Sequence, residues 1–284
     1  MSPLVGVIGE TGDVLALRGR GATASPKRNL ASFVTACVAA IPKDALHNYT
    51  LWLRMDSAGF TKSVVDTCLR HKPTFTITAE QNVAVRKAIE ALAMDEETLW
   101  SPAKDADGEL TGSEVAETTY RFSTHDFRPL VRRQAKAEGE QLSFDDVGGW
   151  RFFSFITNAE DEHRAADLDL HHRRRGGASE EAIRQLKEDF GMDHAPVQNL
   201  FGNWLWWLAA ALAYNVGRRL RVLALPASYR TCREKRLRTS FINIAARVVR
   251  SGRRIVVLRV PRAYRHAEAF IAALANLLAP LRFA

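Results

Sequence analysis

The chain has 284 residues, enough for one large core or two smaller domains, and its 46% apolar and 25% charged content is that of an ordinary globular protein. Three widely separated cysteines, Cys37, Cys68 and Cys232, form no C-x-x-C or Cys/His cluster, which points to a reducing, cytoplasmic setting without a disulfide framework or zinc site. The net charge of +8 is uneven: from Gly217 onward sixteen Lys or Arg stand against two Glu, leaving the rest of the chain at about −6. A polyanion partner and a solvated arginine-rich face both account for that surplus. The opening MSPLVGVIGETGD lacks the basic start and apolar run of a signal peptide. WLWWLAAALAY, residues 204–214, is shorter than the roughly 20 residues a membrane span needs and reads as a core helix.

Residues 3–8 and 14–18 read as two short strands around the turn GETGD. In NLASFVTACVAAI, Leu30, Phe33, Val34, Cys37 and Ile41 fall on one helical face. YTLWLRM, 49–55, alternates Leu51, Leu53 and Met55 with Thr50, Trp52 and Arg54, a strand pattern that ends at Asp56. An amphipathic helix over 60–70 and a Thr- and Phe-rich strand over 73–79 follow. This order predicts an α/β fold on a mixed sheet. From 100 to 158 the pattern is mostly β, with strand-like runs at 115–122, 130–134 and 150–156, and with AKDADGELTGSE and KAEGEQLSFDDVGG as surface loops. The chain then reads as helical from Ala165 to about Arg221. The tail carries two more helical segments flanking the strand-like RRIVVLRV, 253–260.

Asp56 stands at the C-terminal end of an apolar strand, where α/β sheets expose functional groups. On position alone, an Asp that bonds its own backbone to turn the chain in DSAG is the plainer explanation. In SEEAIRQLKEDFG, Glu180, Ile183 and Lys187 share a helical face because seven residues make about two turns. An acid and an amine so spaced suit a metal and a phosphate. Ser179 as N-cap, with Glu180 and Glu181 in the first turn, gives the same residues a purely structural reason. HHRRR, 171–175, is a dense cationic patch or a solvated loop. Trp204, Trp206 and Trp207, in an Ala- and Leu-rich helix, read as core packing rather than stacking groups.

Two longer segments carry a resemblance. LRMDSAGFTKSVVDTC resembles the second-aspartate motif of the DDE transposases of bacterial insertion sequences. DLDLHHRRRGGASEEAIRQLKEDFGMDHAPVQNLFGNWLWWLAAALAYNV resembles the stretch that carries their glutamate, Tyr-x2-Arg-x3-Glu-x6-Lys followed by an Asn-containing apolar helix. Glu180 and Lys187 fit the Glu-x6-Lys half; Arg173 and Gly176 occupy the Tyr and Arg positions, with the neighbouring Arg174 and Arg175 in a different register. The resemblance covers nearly the whole chain. It implies a ribonuclease H-like mixed sheet with helices, a mostly β insertion and a basic helical C-terminal tail. The corresponding divisions are 1–95 for the first part of the core, 96–158 for the insertion, 159–222 for the second part with the glutamate helix, and 223–284 for the tail.

The activity implied is DNA transposition by metal-dependent phosphodiester hydrolysis and strand transfer. Asp56 and Glu180 would be catalytic metal ligands for Mg2+ in a two-metal site, while Lys187, Arg173, Arg174 and Arg175 would contact DNA. The partners implied are transposon ends and target DNA, with a homo-oligomer admitted and no membrane, in the cytoplasm at the nucleoid. PLVGVIGETGDVLALRGRGA resembles the two strands that follow the family's opening strand. The expectation is therefore an N-terminally truncated, impaired enzyme whose first catalytic Asp is absent. The alternatives are a non-catalytic DNA-binding remnant or regulator of transposition, a ribonuclease H-like nuclease using Glu10, Asp13 or Asp161 as a third carboxylate, and a purely structural α/β protein.

Overall fold

A computed structural model describes residues 3–118, 120–122, 125–136, 146–147, 149–252, 254–261 and 263–278. They form two compact units, Pro3–Arg20 together with Glu181 and the residues after it, and Gly21–Glu180. The N-terminal strands β1 (Leu4–Val7) and β2 (Val14–Arg18) pair antiparallel, as their apolar runs and the intervening turn predict. Gly12, at φ +69°, supplies the left-handed residue of that turn.

The Gly21–Glu180 unit is built on one sheet. Helices α1 (Leu30–Ala39) and α2 (Lys43–Asn48) precede β3 (Trp52–Met55); α3 (Lys62–His71), β4 (Thr74–Thr78) and α4 (Val83–Met94) follow. The β-rich stretch then supplies β5 (Ser101–Lys104), β6 (Leu110–Glu117), β7 (Tyr120–Phe122), β8 (His125–Ala135), β9 (Asp146–Val147) and β10 (Trp150–Thr157). Six strands run in the order β3-β4-β10-β8-β6-β5, with β3 parallel to β4 and the remaining pairs antiparallel. This is the mixed α/β arrangement expected, a curled mixed sheet with helices consistent with a ribonuclease H-like fold. The β-rich middle is built onto β4 through β10, so it extends the same sheet. AKDADGELTGSE is not a free loop: it closes the β5–β6 hairpin, and most of it lies in the two strands. Most of KAEGEQLSFDDVGG lies outside the described residues.

Period-2 alternation gives each sheet face a core. On β4, Phe75 and Ile77 point into a cluster with Val64, Val65 and Cys68 of α3, Val85 and Ile89 of α4, and Phe152 and Ile156 of β10. Each such fully buried side chain contributes about 1.5–3 kcal/mol. The opposite face buries Val115, Leu130 and Phe155 under Leu168 of α5 (Ala165–Arg173), with Trp52 packed beside them. Helix α4, left unassigned by the sequence reading, has its signal in Val85, Ile89 and Leu92, spaced four and three apart and all buried. The side chain of Asn158 bridges β4, accepting from Phe75 N at 2.7 Å and donating to Pro73 O at 3.0 Å.

Helix α6 (Arg175–Glu188) runs from the sheet unit into the other, which continues with α7 (Leu200–Leu223), α8 (Glu234–Leu237), the hairpin β11 (Arg247–Ser251) and β12 (Arg254–Arg259), and α9 (Ala267–Leu278). The helical run expected from Ala165 to Arg221 is broken over 189–199, where Gly191 takes φ +67° and Pro196 cannot continue a helix. The β1–β2 hairpin is tied to α7: Asn215 accepts from Val14 N and donates to Val14 O, both at 2.8 Å, and Tyr214 Oη donates to Gly12 O at 3.2 Å. Beneath it lies a core of Val14, Leu17, Leu186, Trp207 and Tyr214. All three cysteines are buried thiols outside any disulfide, and burial pushes the Cys68 thiol up to about 12.

Candidate carboxylate site of the sheet unit

Asp56 sits where the strand pattern places it, one residue beyond β3, at the end where β3 and β4 run parallel. Its Oδ1 accepts from Ala58 N at 3.1 Å and caps a 3-10 turn over Ser57–Gly59, so the turn-forming role is present. The residue is exposed, and among the described residues its second oxygen has no protein partner. Gly59 makes the turn feasible: a Cβ there would lie 2.9 Å from Met55 Cβ and 3.2 Å from Ile77 Cγ2. Thr61 then caps α3 through Val64 N at 3.3 Å.

Thr76 and Thr78, on the face of β4 opposite Phe75 and Ile77, hold His172 from both sides, Nδ1 at 2.8 Å from Thr76 Oγ1 and Nε2 at 3.0 Å from Thr78 Oγ1. The imidazole stacks on Phe155 with ring centroids 4.5 Å apart. Burial, reinforced by Arg175, His171, Arg132 and Arg54, pushes its pKa down to about 3. His172 is thus a half-buried, neutral imidazole held between two threonines rather than part of a cationic patch. The signal was in the sequence: Ala165, Leu168, Asp169 and His172 recur at three- and four-residue steps, the inner face of α5. Asp169, which is buried, takes Arg173 Nε at 2.7 Å and Arg132 Nε at 3.8 Å. Arg173 additionally donates to Lys104 O. Of the HHRRR run, Arg174 points outward at the α5 terminus.

Glu180 is not in a first turn. Helix α6 begins at Arg175, and Ser179 Oγ donates back to Arg175 O instead of capping. The capping reading fails because the Gly176–Gly177 pair is accommodated inside the helix, one turn earlier than the polar pattern suggests. Glu180 is exposed, and its carboxylate folds over Gly176, where a Cβ would meet Oε1 at 3.2 Å. It lies eight residues beyond His172, on the next helix. Among the described residues no hydrogen bond or ion pair joins it to Asp56.

The sequence matches the family described as Transposase DDE domain group 1 over residues 2–281, nearly its full length. The chain belongs to the DDE transposases. A search of curated proteins returned no match. Membership gives the chain a role in transposition, and such transposases generally bind DNA and use a divalent metal. In this DDE transposase, among the described residues, no group of three His, Cys, Asp or Glu is placed to hold a metal. Asp56 and Glu180 offer the hard oxygens a divalent ion takes, but they do not by themselves complete a site. The three candidates for a further carboxylate differ. Asp13, 6% exposed, is held by Arg219 at 2.6 Å and Arg218 at 3.4 Å within its own unit. Asp161 lies at the surface, 3.3 Å from Arg128 Nε. Glu10 is exposed in the β1–β2 turn.

Elsewhere in the transposase, Lys187 is exposed on α6, two turns from Glu180, with no ion-pair partner among the described residues. Of the three tryptophans, Trp207 is buried and Trp204 is partly buried with its indole donating to Leu17 O. Trp206 departs from the core expectation: it is 46% exposed, donating to Gly191 O at 3.3 Å. Asn203, fully buried, brackets Val197 with bonds of 3.1 and 2.7 Å and fixes the entry to α7. Among the described residues no helix is long and apolar enough to cross a membrane.

Proposed function

We propose that this DDE transposase domain presents Asp56 and Glu180 as two carboxylates of a phosphodiester-cleaving centre, and Lys187, Arg174 and Arg175 as cations for the DNA backbone. Arg173 is committed to Asp169. The observation that carries the reading is Asp56 itself: an exposed carboxylate at the end of a parallel strand pair, one oxygen fixed by Ala58 N and the other uncommitted. Both ring nitrogens of His172 are taken up by Thr76 and Thr78, so the imidazole does not compete for a ligand. Mg2+ is the cofactor this reading requires, because hard carboxylate oxygens suit it. Two carboxylates are one short of a DDE triad, so strand transfer by the chain alone is expected to be weak or absent, while DNA binding persists. DNA binding would also place the protein at the nucleoid.

The test is incubation of the purified chain with duplex DNA and Mg2+. Binding that weakens with salt, with no cleavage, is expected. Mg2+-dependent cleavage that Asp56→Ala abolishes would overturn the impaired reading and establish a complete centre. DNA binding unchanged by Asp56→Ala, Glu180→Ala and chelation would favour the second reading, a DNA-binding regulator of transposition.

A further inference from the structure

We infer that the β11–β12 ribbon is a contact element for B-form duplex DNA, an inference that rests on the DNA-binding reading above but uses a different surface. In this antiparallel pair Arg247 lies directly opposite Arg259, and both are exposed. Directly opposed residues have Cβ atoms about 4.5–5.5 Å apart, and like charges so placed destabilise the pair. Nothing nearby in the chain offsets them: between Glu234 and Glu268 there are ten Lys or Arg and no Asp or Glu. Other arginines of the same unit have acids, Arg219 on Asp13, Arg221 on Glu234 and Arg233 on Glu188. Among the described residues neither Arg247 nor Arg259 has an ion-pair partner.

The shape fits as well as the charge. Among the described residues the ribbon is a two-stranded sheet attached to no larger one, and a two-stranded ribbon is what the major groove of B-DNA admits, at about 12 Å wide. The register shift between Val249 and Arg250 adds twist, which suits a helical groove. The deep, narrow major groove of an RNA duplex would exclude it. Opposed guanidiniums contact phosphates on the groove walls, so the ribbon contributes affinity and orientation rather than sequence choice.

The experiment uses the full chain and a labelled random-sequence duplex of about 30 bp, with affinity followed by anisotropy from about 50 to about 200 mM salt. Replacing both arginines, Arg247→Gln with Arg259→Gln, is expected to weaken binding about tenfold or more and make the log–log salt slope shallower by about 2. The melting temperature should not fall, since a repulsion is removed. Arg259→Glu, which sets a carboxylate opposite Arg247, should weaken binding further at equal or higher melting temperature. Unchanged affinity and slope in a wild-type background that binds DNA would overturn the ribbon and leave the DNA reading intact. A lost affinity matched by a lost melting temperature would assign a structural role and overturn it too. Equal competition by single-stranded DNA or an RNA duplex would overturn the B-form assignment. A wild-type chain that ignores duplex DNA would overturn both readings together.

Discussion

Two antiparallel strand pairs in this protein treat arginine in opposite ways. Across β6 and β8, Arg133 faces Glu114 and the two form an ion pair at 2.6 Å, while the same guanidinium lies 4.0 Å over the Trp100 ring and 4.5 Å over Trp150. Across β11 and β12, Arg247 faces Arg259, with no acid paired to either among the described residues. The first pair is complete within the fold; the second, on the proposal above, is completed by an outside anion. Composition alone counts both as positive charge. What separates structural from functional arginine is whether the register supplies its counter-charge.

The largest loss is expected where a base is wholly enclosed. Arg221 and Glu234 are both nearly inaccessible and 2.6 Å apart. Glu234→Ala leaves an enclosed guanidinium without its carboxylate and should cost about 3–5 kcal/mol in urea unfolding. A loss under about 1 kcal/mol would show that Arg221 finds another acceptor. Gly217 belongs to the same arrangement, since a Cβ there would collide with the Glu234 carboxylate.

A third treatment of a base is to keep it neutral, and pH tests it. The folded His172 pKa, about 3, lies below the ordinary imidazole value, so the unfolded chain binds the proton more readily. The stability from neutral His172 is therefore fully present above pH 6.5 and is lost as pH falls from 6.5 toward 3, by up to about 1.4 kcal/mol per pH unit. His172→Gln should lower stability at neutral pH yet flatten that acid limb; an unchanged slope would exclude His172 as its source. At the smaller end, Arg133→Ala should cost about 1–2 kcal/mol through the lost Glu114 pair and ring contacts. Arg259→Ala should cost nothing or slightly stabilise. Equal losses at both positions would erase the distinction between the two strand pairs.

Much of the sheet unit was legible because its signals are local. The alternation through Met55 located β3 and Asp56, and TFTIT located β4 with its two faces. The Glu-x6-Lys spacing put Glu180 and Lys187 on one helix, where they are. What escaped depends on partners distant in sequence. Nothing local says that His172 will meet Thr76 and Thr78, 96 and 94 residues away, so HHRRR read as uniformly cationic. Ser179 looked like a cap because serine before two glutamates has that pattern, yet the helix starts at Arg175 and its hydroxyl bonds backwards. The sequence of the tail showed its positive charge but not the pairing that sets Arg247 against Arg259.

The buried cysteines make the protein its own stopwatch. Cys37 and Cys68 lie in the sheet unit and Cys232 in the other, each enclosed. Burial raises the Cys68 and Cys232 thiols above their ordinary range, so the native thiols are poor nucleophiles. A thiol reagent added under native conditions will react only as each region opens. Mass spectrometry of the labelled products then dates the opening of each unit separately, with two adducts marking one unit and a single adduct the other, and no label needs to be engineered.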